Sequence, residues 1–274
     1  MFTQKSRHEL LQKLFWNPAG SQLVRRFIRY EQIFDTVVRG YSLIGATNGE
    51  RWLTTLMPER PTVFDVGFHD GASTAAFLAS RALCTVHAFD PSRFASKSYT
   101  ARFTSDDRVR FTQSALSNEP GELPLHDYEN MCNSLAPRKE SMDTRLTVYS
   151  VPVTTLDIYC RDHGVQHIDF LKIDAEGYDL NVLEGAQDLL NRQGIDVFVF
   201  EFASGWAATK RYLWEAVEFL DSFPYRLFHL YNGFLCPLSY DISIDSCTTR
   251  PAMYVGLSKS RFARGDVELR EYQF

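Results

Sequence analysis

The sequence predicts an α/β protein: a mostly parallel, seven-stranded sheet with helices on both faces, preceded by N-terminal helices. Three observations predict it. Short β-branched and aromatic runs recur at Val63–Gly67, Thr85–Asp90, Val109–Ser114, Ile168–Asp174, Asp196–Phe202, Arg226–Leu230 and Met253–Leu257. Helix-compatible stretches alternate with the first five. The first run stops abruptly at a glycine turn, Gly67-Phe68-His69-Asp70-Gly71, and a helix is expected from Ala72. With 274 residues, 45% hydrophobic and 14% aromatic, the chain has ample material for one full core.

The elements follow in order. From about Ser6 to Val38, Leu10, Leu11, Leu14 and Phe15, then Leu23, Val24, Phe27, Ile28, Ile33 and Phe34, recur at helical spacing, which predicts two amphipathic helices. Residues 1–55 are therefore expected to form an N-terminal helical segment, a lid or substrate cap, and residues 56–274 the main domain. Arg25, Arg26 and Arg29 on the second helix read as a solvated face or as an anion-recognising lid.

At the end of the first strand, two glycines let the backbone approach a ligand closely, and the helix beyond directs unpaired N–H groups toward the turn. A nucleotide-like cofactor fits there; a purely structural turn is the alternative. About twenty residues on, the second strand ends in Asp90-Pro91. A carboxylate at that place accepts the ribose hydroxyls, and Pro91 stops the strand. G-x-G-x-x-G would set a pyrophosphate on the helix N-terminus. The spacing here is instead Gly67 to Gly71, and the wider loop, opened by Asp65, suits the cationic methionine end of S-adenosylmethionine. NAD is the runner-up.

Between the third and fourth strands the alternation breaks. Gly121–Leu125 and Leu146–Val153 read as short extended pieces, joined by a polar loop with Asn130, Cys132, Asn133 and Ser134 that is placed to cover an acceptor. The second diagnostic stretch is Ile168-Asp169-Phe170-Leu171-Lys172-Ile173-Asp174-Ala175-Glu176-Gly177-Tyr178-Asp179, running into Val182-Leu183-Glu184-Gly185-Ala186. With Asp65–Gly71, Asp90, Ala115-Leu116-Ser117 and Thr155-Leu156-Asp157, it resembles the FkbM-family methyltransferases over roughly residues 60 to 235, whose hallmark is a strand ending in Lys-Ile-Asp-x-Glu-Gly before a helix that runs into Leu-x-Gly-Ala. Two positions depart from the family pattern: His69 replaces a frequent Asn, and Asp90 a usual Glu. The first fifty residues lie outside this resemblance.

The resemblance implies a Rossmann-like class I methyltransferase fold and O-methylation with S-adenosylmethionine, typically of a hydroxyl on a sugar, glycan or polyketide-type natural product. Carried onto this chain, it implies Asp65, Gly67, Phe68, His69, Gly71, Asp90, Pro91, Ser114, Ala115 and Asp174 as cofactor-binding residues.

Methyl transfer to an alcohol requires alignment and a base for the hydroxyl proton. The candidates are Glu176, Glu201 and His69. Asp174, Glu176 and Glu201 lie at or just past the ends of central strands, where three converging acids would need a proton, a cation or a metal. Lys172 shares a strand face with Asp174 and is a partner for Glu201 across adjacent strands. In the competing reading, Lys172 and Glu201 form a buried ion pair while Asp174 or Glu176 caps the helix near Tyr178. Oxygen ligands from Asp174 and Glu201 suit Mg²⁺; two acids are too few to predict a metal. His126 and His229 have no metal-ligand spacing. Trp206, Tyr212, Trp214, Tyr231 and Phe234 follow later strands, with helical spacing that favours core packing; Trp206 is the best placed to wall a sugar.

A formal charge of −5 and a pI near 5.8 argue against a nucleic-acid surface. No apolar run reaches membrane-span length, and no signal-peptide core is present. The five cysteines lack a C-x-x-C pair and are odd in number, which predicts a reduced, cytoplasmic chain. The expected partner is a small-molecule hydroxyl acceptor; oligomeric state is not encoded in any motif. A catalytically silent cofactor-binding scaffold is the third reading.

Overall fold

A computed structural model describes residues 52–128, 133–137, 146–231, 233–242 and 252–270. Its strands are β1 (Thr62–Val66), β2 (Thr85–Phe89), β3 (Val109–Thr112), β4 (Ala115–Leu116), β5 (Gly121–Asp127), β6 (Thr147–Thr154), β7 (Ile168–Ile173), β8 (Ile195–Phe202), β9 (Tyr225–Tyr231), β10 (Phe234–Pro237) and β11 (Ala252–Ser258). The helices are α1 (Ala72–Ser80), α2 (Arg93–Arg102), α3 (Leu156–His163), α4 (Asp179–Glu184), α5 (Gln187–Asn191), α6 (Gly205–Thr209), α7 (Leu213–Asp221) and α8 (Lys259–Phe262). The two expected N-terminal helices, Arg25, Arg26 and Arg29 fall outside the described residues.

The main sheet has the order β10-β9-β11-β8-β7-β1-β2-β3. The neighbours from β8 through β3 pair parallel. β11 runs antiparallel to both β8 and β9, and β10 antiparallel to β9. This is the Rossmann-like class I methyltransferase architecture implied by the resemblance, with eight strands where seven were expected. The additional strand is β10, whose Phe234 pairs with Tyr231. Its signal was in plain view: Asn232-Gly233 between two apolar runs is a strong hairpin dipeptide.

Alternation along the parallel strands builds the two apolar layers. Phe64, Leu171, Phe198 and Phe200 join buried residues of α3, α4, α5 and α7, whereas Val63, Phe170, Val197 and Val255 join Phe77 and Leu78 of α1 and Ala95 of α2. Neighbouring positions such as Phe170 and Leu171 serve opposite faces, as strands buried on both sides require. Of the extended pieces between the third and fourth main-sheet strands, the first runs on to Asp127 and the second is shifted by one residue. They form an antiparallel pair, β5 and β6, that β4 extends into a separate three-stranded sheet with its own apolar cluster of Ala115, Leu125, Leu135, Val151 and Val153.

Strand order reverses between β1 and β7, because the chain leaves β1 toward β2 and returns to the other side for β7. A crevice therefore opens beyond the carboxyl ends of these strands. Among the described residues, no helix is long and apolar enough to cross a membrane.

Candidate active site

A cavity of about 240 Å³ fills that crevice. Gly67, Phe68 and His69 line it after β1, Asp90 and Pro91 after β2, Ser114 and Ala115 after β3, and Asp174 and Glu176 after β7. Nine of the sequence-derived candidates thus meet at one place. Asn133 and Ser134, from the loop expected to cover an acceptor, also line the cavity, as does Lys172; Asn130 and Cys132 of that loop lie outside the described residues.

Asp65, Gly71 and Glu201 do not line it. Asp65 is wholly buried behind the turn, where its Oδ2 accepts from Thr74 Oγ1 at 2.7 Å and its Oδ1 lies 3.8 Å from Lys172 Nζ. Burial drives its pKa up, against the opposing pull of Lys172. Its carboxylate thus stitches α1 to the sheet from behind the cavity lining, where the sequence reading has it open the ligand loop. The register of β1 and β7 explains this, since Asp65 stands opposite Lys172.

The glycines likewise serve contacts within the protein. A Cβ on Gly67, whose φ is +84°, would lie 2.1 Å from the Asp174 carbonyl oxygen. The turn after β1 therefore sits directly against the turn after β7. Gly71, at φ +77°, leaves room for the rings of Phe103 and Phe68, 2.5 and 2.6 Å from where its Cβ would be. The Phe68 ring packs among Tyr99, Phe103 and Phe111, anchoring the turn in the core.

Asp90 is buried at the cavity wall. Its Oδ2 accepts from the His69 N–H at 2.9 Å and its Oδ1 from the Ser92 N–H at 2.8 Å. Desolvation raises its pKa while these donors pull it down. An ionised carboxylate offers about four lone-pair positions; the Ser92 hydroxyl takes a third, so one remains for a ribose hydroxyl. Such an acceptor fits a ribose hydroxyl, which donates. Ser114 turns its hydroxyl toward the Ala115 and Pro152 carbonyls and so braces the β3–β4 corner.

On the β7 side, Lys172 Nζ lies 3.1 Å from Asp174 Oδ2. Lys172 thereby joins Asp65 and Asp174. The next turn is held from several directions. Asp179, wholly buried at the start of α4, accepts from Gly177 N–H at 3.1 Å and Ala175 N–H at 3.4 Å. The helix-start carboxylate is therefore Asp179, where Asp174 or Glu176 was expected; an acid in a first helical turn was the readable signal. Burial lifts the Asp179 pKa to about 7, with Asp174 adding to the rise. Ser134 Oγ donates to the Glu176 carbonyl at 3.0 Å, and Thr209 Oγ1 to the Gly177 carbonyl at 3.1 Å.

Within this clamp Glu176 adopts φ +52°, and across the cavity His69 adopts φ +49°. Left-handed backbone at a non-glycine residue costs about 1–2 kcal/mol, and such strain gathers at functional sites. The His69 ring leans on Phe94, with centroids 4.8 Å apart.

Glu201, near the end of β8, has its pKa pushed up to about 7 by burial. The three acids do not converge as expected: Asp174 and Glu176 border the cavity and Glu201 does not. Among the described residues, they form no set of three ligand atoms suited to a metal. Trp206, considered as a sugar wall, is a core residue packed on Phe200 and Phe202, with its indole N–H donating to the Glu201 carbonyl at 2.8 Å.

The sequence model of the Methyltransferase FkbM domain matches residues 65–227, more than half of the chain. The 2-O-methyltransferase NoeI of Sinorhizobium fredii is 21% identical over 145 residues, 48% of this chain; the match spans 60% of that relative's length. Among solved structures, Methyltransferase FkbM from Methylobacillus flagellatus superposes with a TM-score of 0.47 at 13% identity, over 73% of this chain and 44% of that one. SMU.1697c from Streptococcus mutans, solved in complex with SAH, gives 0.42 at 10% identity, over 75% and 93% of the two chains.

Proposed function

Because the chain belongs to the FkbM family of methyltransferases, we propose that it moves a methyl group from S-adenosylmethionine to a hydroxyl oxygen of a small molecule, a sugar or a polyketide-type natural product. The observation that carries this reading is the meeting of Asp90 and the strained Glu176 on one cavity. Asp90 keeps a lone pair for a ribose hydroxyl. Asp174 and Lys172 offer one charge of each sign to an amino-acid end, the place that the sequence alone would give to Asp65. When bound, the donor supplies an electrophilic methyl on a sulfonium.

The chain's own part is to align the acceptor and take its proton. Glu176 is the best placed base, because it borders the cavity and its turn is fixed by Ser134, Thr209 and Asp179. Glu201 has the better matched pKa, about 7, but not the place. Geometry ranks first, since a base out of reach transfers no proton. Asn133 and Ser134 give the three-stranded sheet a role at the acceptor side. The curated relative, named a 2-O-methyltransferase, supports oxygen as the acceptor atom.

Titration calorimetry with S-adenosylmethionine, S-adenosylhomocysteine and NAD tests the reading. Binding of the first two with no detectable NAD heat is expected; NAD binding alone would overturn it. A screen of hydroxylated acceptors then separates an enzyme from a silent scaffold.

A further inference from the structure

The main sheet carries a second concentration of polar chemistry, at the end opposite the cavity. His167 immediately precedes β7, Asp169 is its second residue, and Asp196 is the second residue of β8. His167 Nε2 lies 3.5 Å from Asp196 Oδ1 and 3.9 Å from Asp169 Oδ1, and one ligand atom from each of the three residues lies within 4.8 Å of the others. The other oxygen of each carboxylate is already held. Thr62 N–H, at the start of β1, donates to Asp169 Oδ2 at 2.8 Å, and Arg264 Nη2 to Asp196 Oδ2 at 2.9 Å. These outer partners orient both acids so that an oxygen of each turns toward the imidazole, which is how second-shell groups prepare ligands.

Three electron-pair donors pointing at one region need a cation between them. A proton on His167 Nε2 answers only Asp196, whose carboxylate draws the imidazole pKa up; the 3.9 Å to Asp169 exceeds the 2.7–3.2 Å of a good N–H···O bond. One N–H also cannot aim at two oxygens. A metal ion bound at about 2.0–2.2 Å from each donor bridges such a spread with small side-chain movements.

We propose that His167, Asp169 and Asp196 form a binding site for a divalent transition-metal ion, distinct from the methyl-transfer cavity. The mixed nitrogen and oxygen donors suit Zn²⁺, whereas Mg²⁺ prefers oxygen alone and dehydrates reluctantly. The Asp196 side chain is 5% exposed and that of His167 43%, so the site is rooted in the sheet and open to water on the histidine side. Arg264 offsets one carboxylate charge, and Arg261 and Arg192 add positive field nearby; affinity rests on the three ligands, not on bulk charge. An ion there ties together the starts of β7 and β8, next to β1.

The test uses the full chain with Zn²⁺ alone. Thermal melts should show Tm rising with Zn²⁺ to a plateau, calorimetry should give one site per chain, and Mg²⁺ should leave Tm unchanged. Metal binding only the native state stabilises it by mass action. His167→Gln and Asp169→Asn, conservative changes at a partly exposed cluster, should each abolish the rise. Absence of any Tm rise would overturn the proposal, as would an equal rise in His167→Gln, which would place the ion elsewhere. Neither variant touches the cavity, so cofactor binding should persist in both, which separates this test from that of methyl transfer.

Discussion

The turns after β1 and β7 touch each other over the same cavity, yet they are held by a different balance of forces. The first is anchored by apolar packing: the Phe68 ring is buried among aromatic neighbours, and the Gly67 and Phe68 N–H groups donate to the Phe89 carbonyl at 2.9 and 3.1 Å. The second is clamped by side chains, with Asp179, Ser134 and Thr209 each holding its backbone. An apolar anchor leaves backbone and a neighbouring carboxylate, Asp90, to meet a ligand. A polar clamp instead presents a side chain, Glu176, in a fixed and strained pose. Under the proposed function, the first turn would hold the donor and the second handle the acceptor.

Removing the carboxylate that the second turn presents should break the comparison most sharply. Glu176→Gln keeps size and backbone but removes the base, and general-base catalysis is worth about 10²–10⁴-fold. Turnover should fall by that factor while S-adenosylmethionine affinity, measured by calorimetry, stays within about twofold. Full turnover in both Glu176→Gln and Glu201→Gln would remove the base assignment altogether.

The contact between the two turns comes next. A methyl at position 67 would lie 2.1 Å from the Asp174 carbonyl oxygen at a φ of +84°. Overpacking costs about 1–3 kcal/mol and left-handed strain about 1–2. Gly67→Ala should therefore lose roughly 2–5 kcal/mol in urea unfolding. A loss under about 1 kcal/mol would mean that the turns move apart freely.

For the first turn alone, Asp90→Asn retains one acceptor oxygen but loses the charge. Hydrogen bonds to charged groups are worth about 1.5–3 kcal/mol, so the Kd for S-adenosylmethionine should rise about 10-fold or more, with turnover at saturating donor little changed. An unaltered Kd would free Asp90 from any role with the ribose.

Most of this site was legible in the sequence, and the misses share a cause. Gly67, Asp90, Asp174 and Glu176 were readable because each sits at a strand end marked by a local motif, and parallel topology alone brings such ends together. What could not be read was register. Asp65 lies opposite Lys172 only because β1 and β7 are neighbours in a particular alignment, and that pairing removes Asp65 from the cavity. Glu201 failed for a related reason: reaching the end of a central strand does not decide whether its side chain borders the crevice. Trp206 was misplaced because α6 turns inward, which helical spacing hinted at without fixing direction. The eighth strand, by contrast, had a local signal in Asn232-Gly233.

The smallest expected effect concerns Glu201, which the comparison leaves outside both turns. Burial raises its pKa from 4.5 to about 7. Between those values the folded protein holds a proton that the unfolded chain releases, so folding stability must fall as pH rises through that window. The stabilising term is present in full below 4.5 and gone above about 7. Glu201 keeps some solvent contact, and an effective dielectric near 20 trims the ideal ~1.4 kcal/mol per pH unit, so roughly 1 kcal/mol across the window is expected. Asp179 contributes a slope of the same sign, which a single pH series cannot separate. The difference between wild type and Glu201→Gln isolates Glu201: urea unfolding from pH 5 to 8 should give a shallower decline in the variant and leave it the more stable of the two above pH 7. Parallel curves would mean that Glu201 titrates as it does in the unfolded chain, and its burial would then carry no electrostatic cost that a proton or ligand relieves.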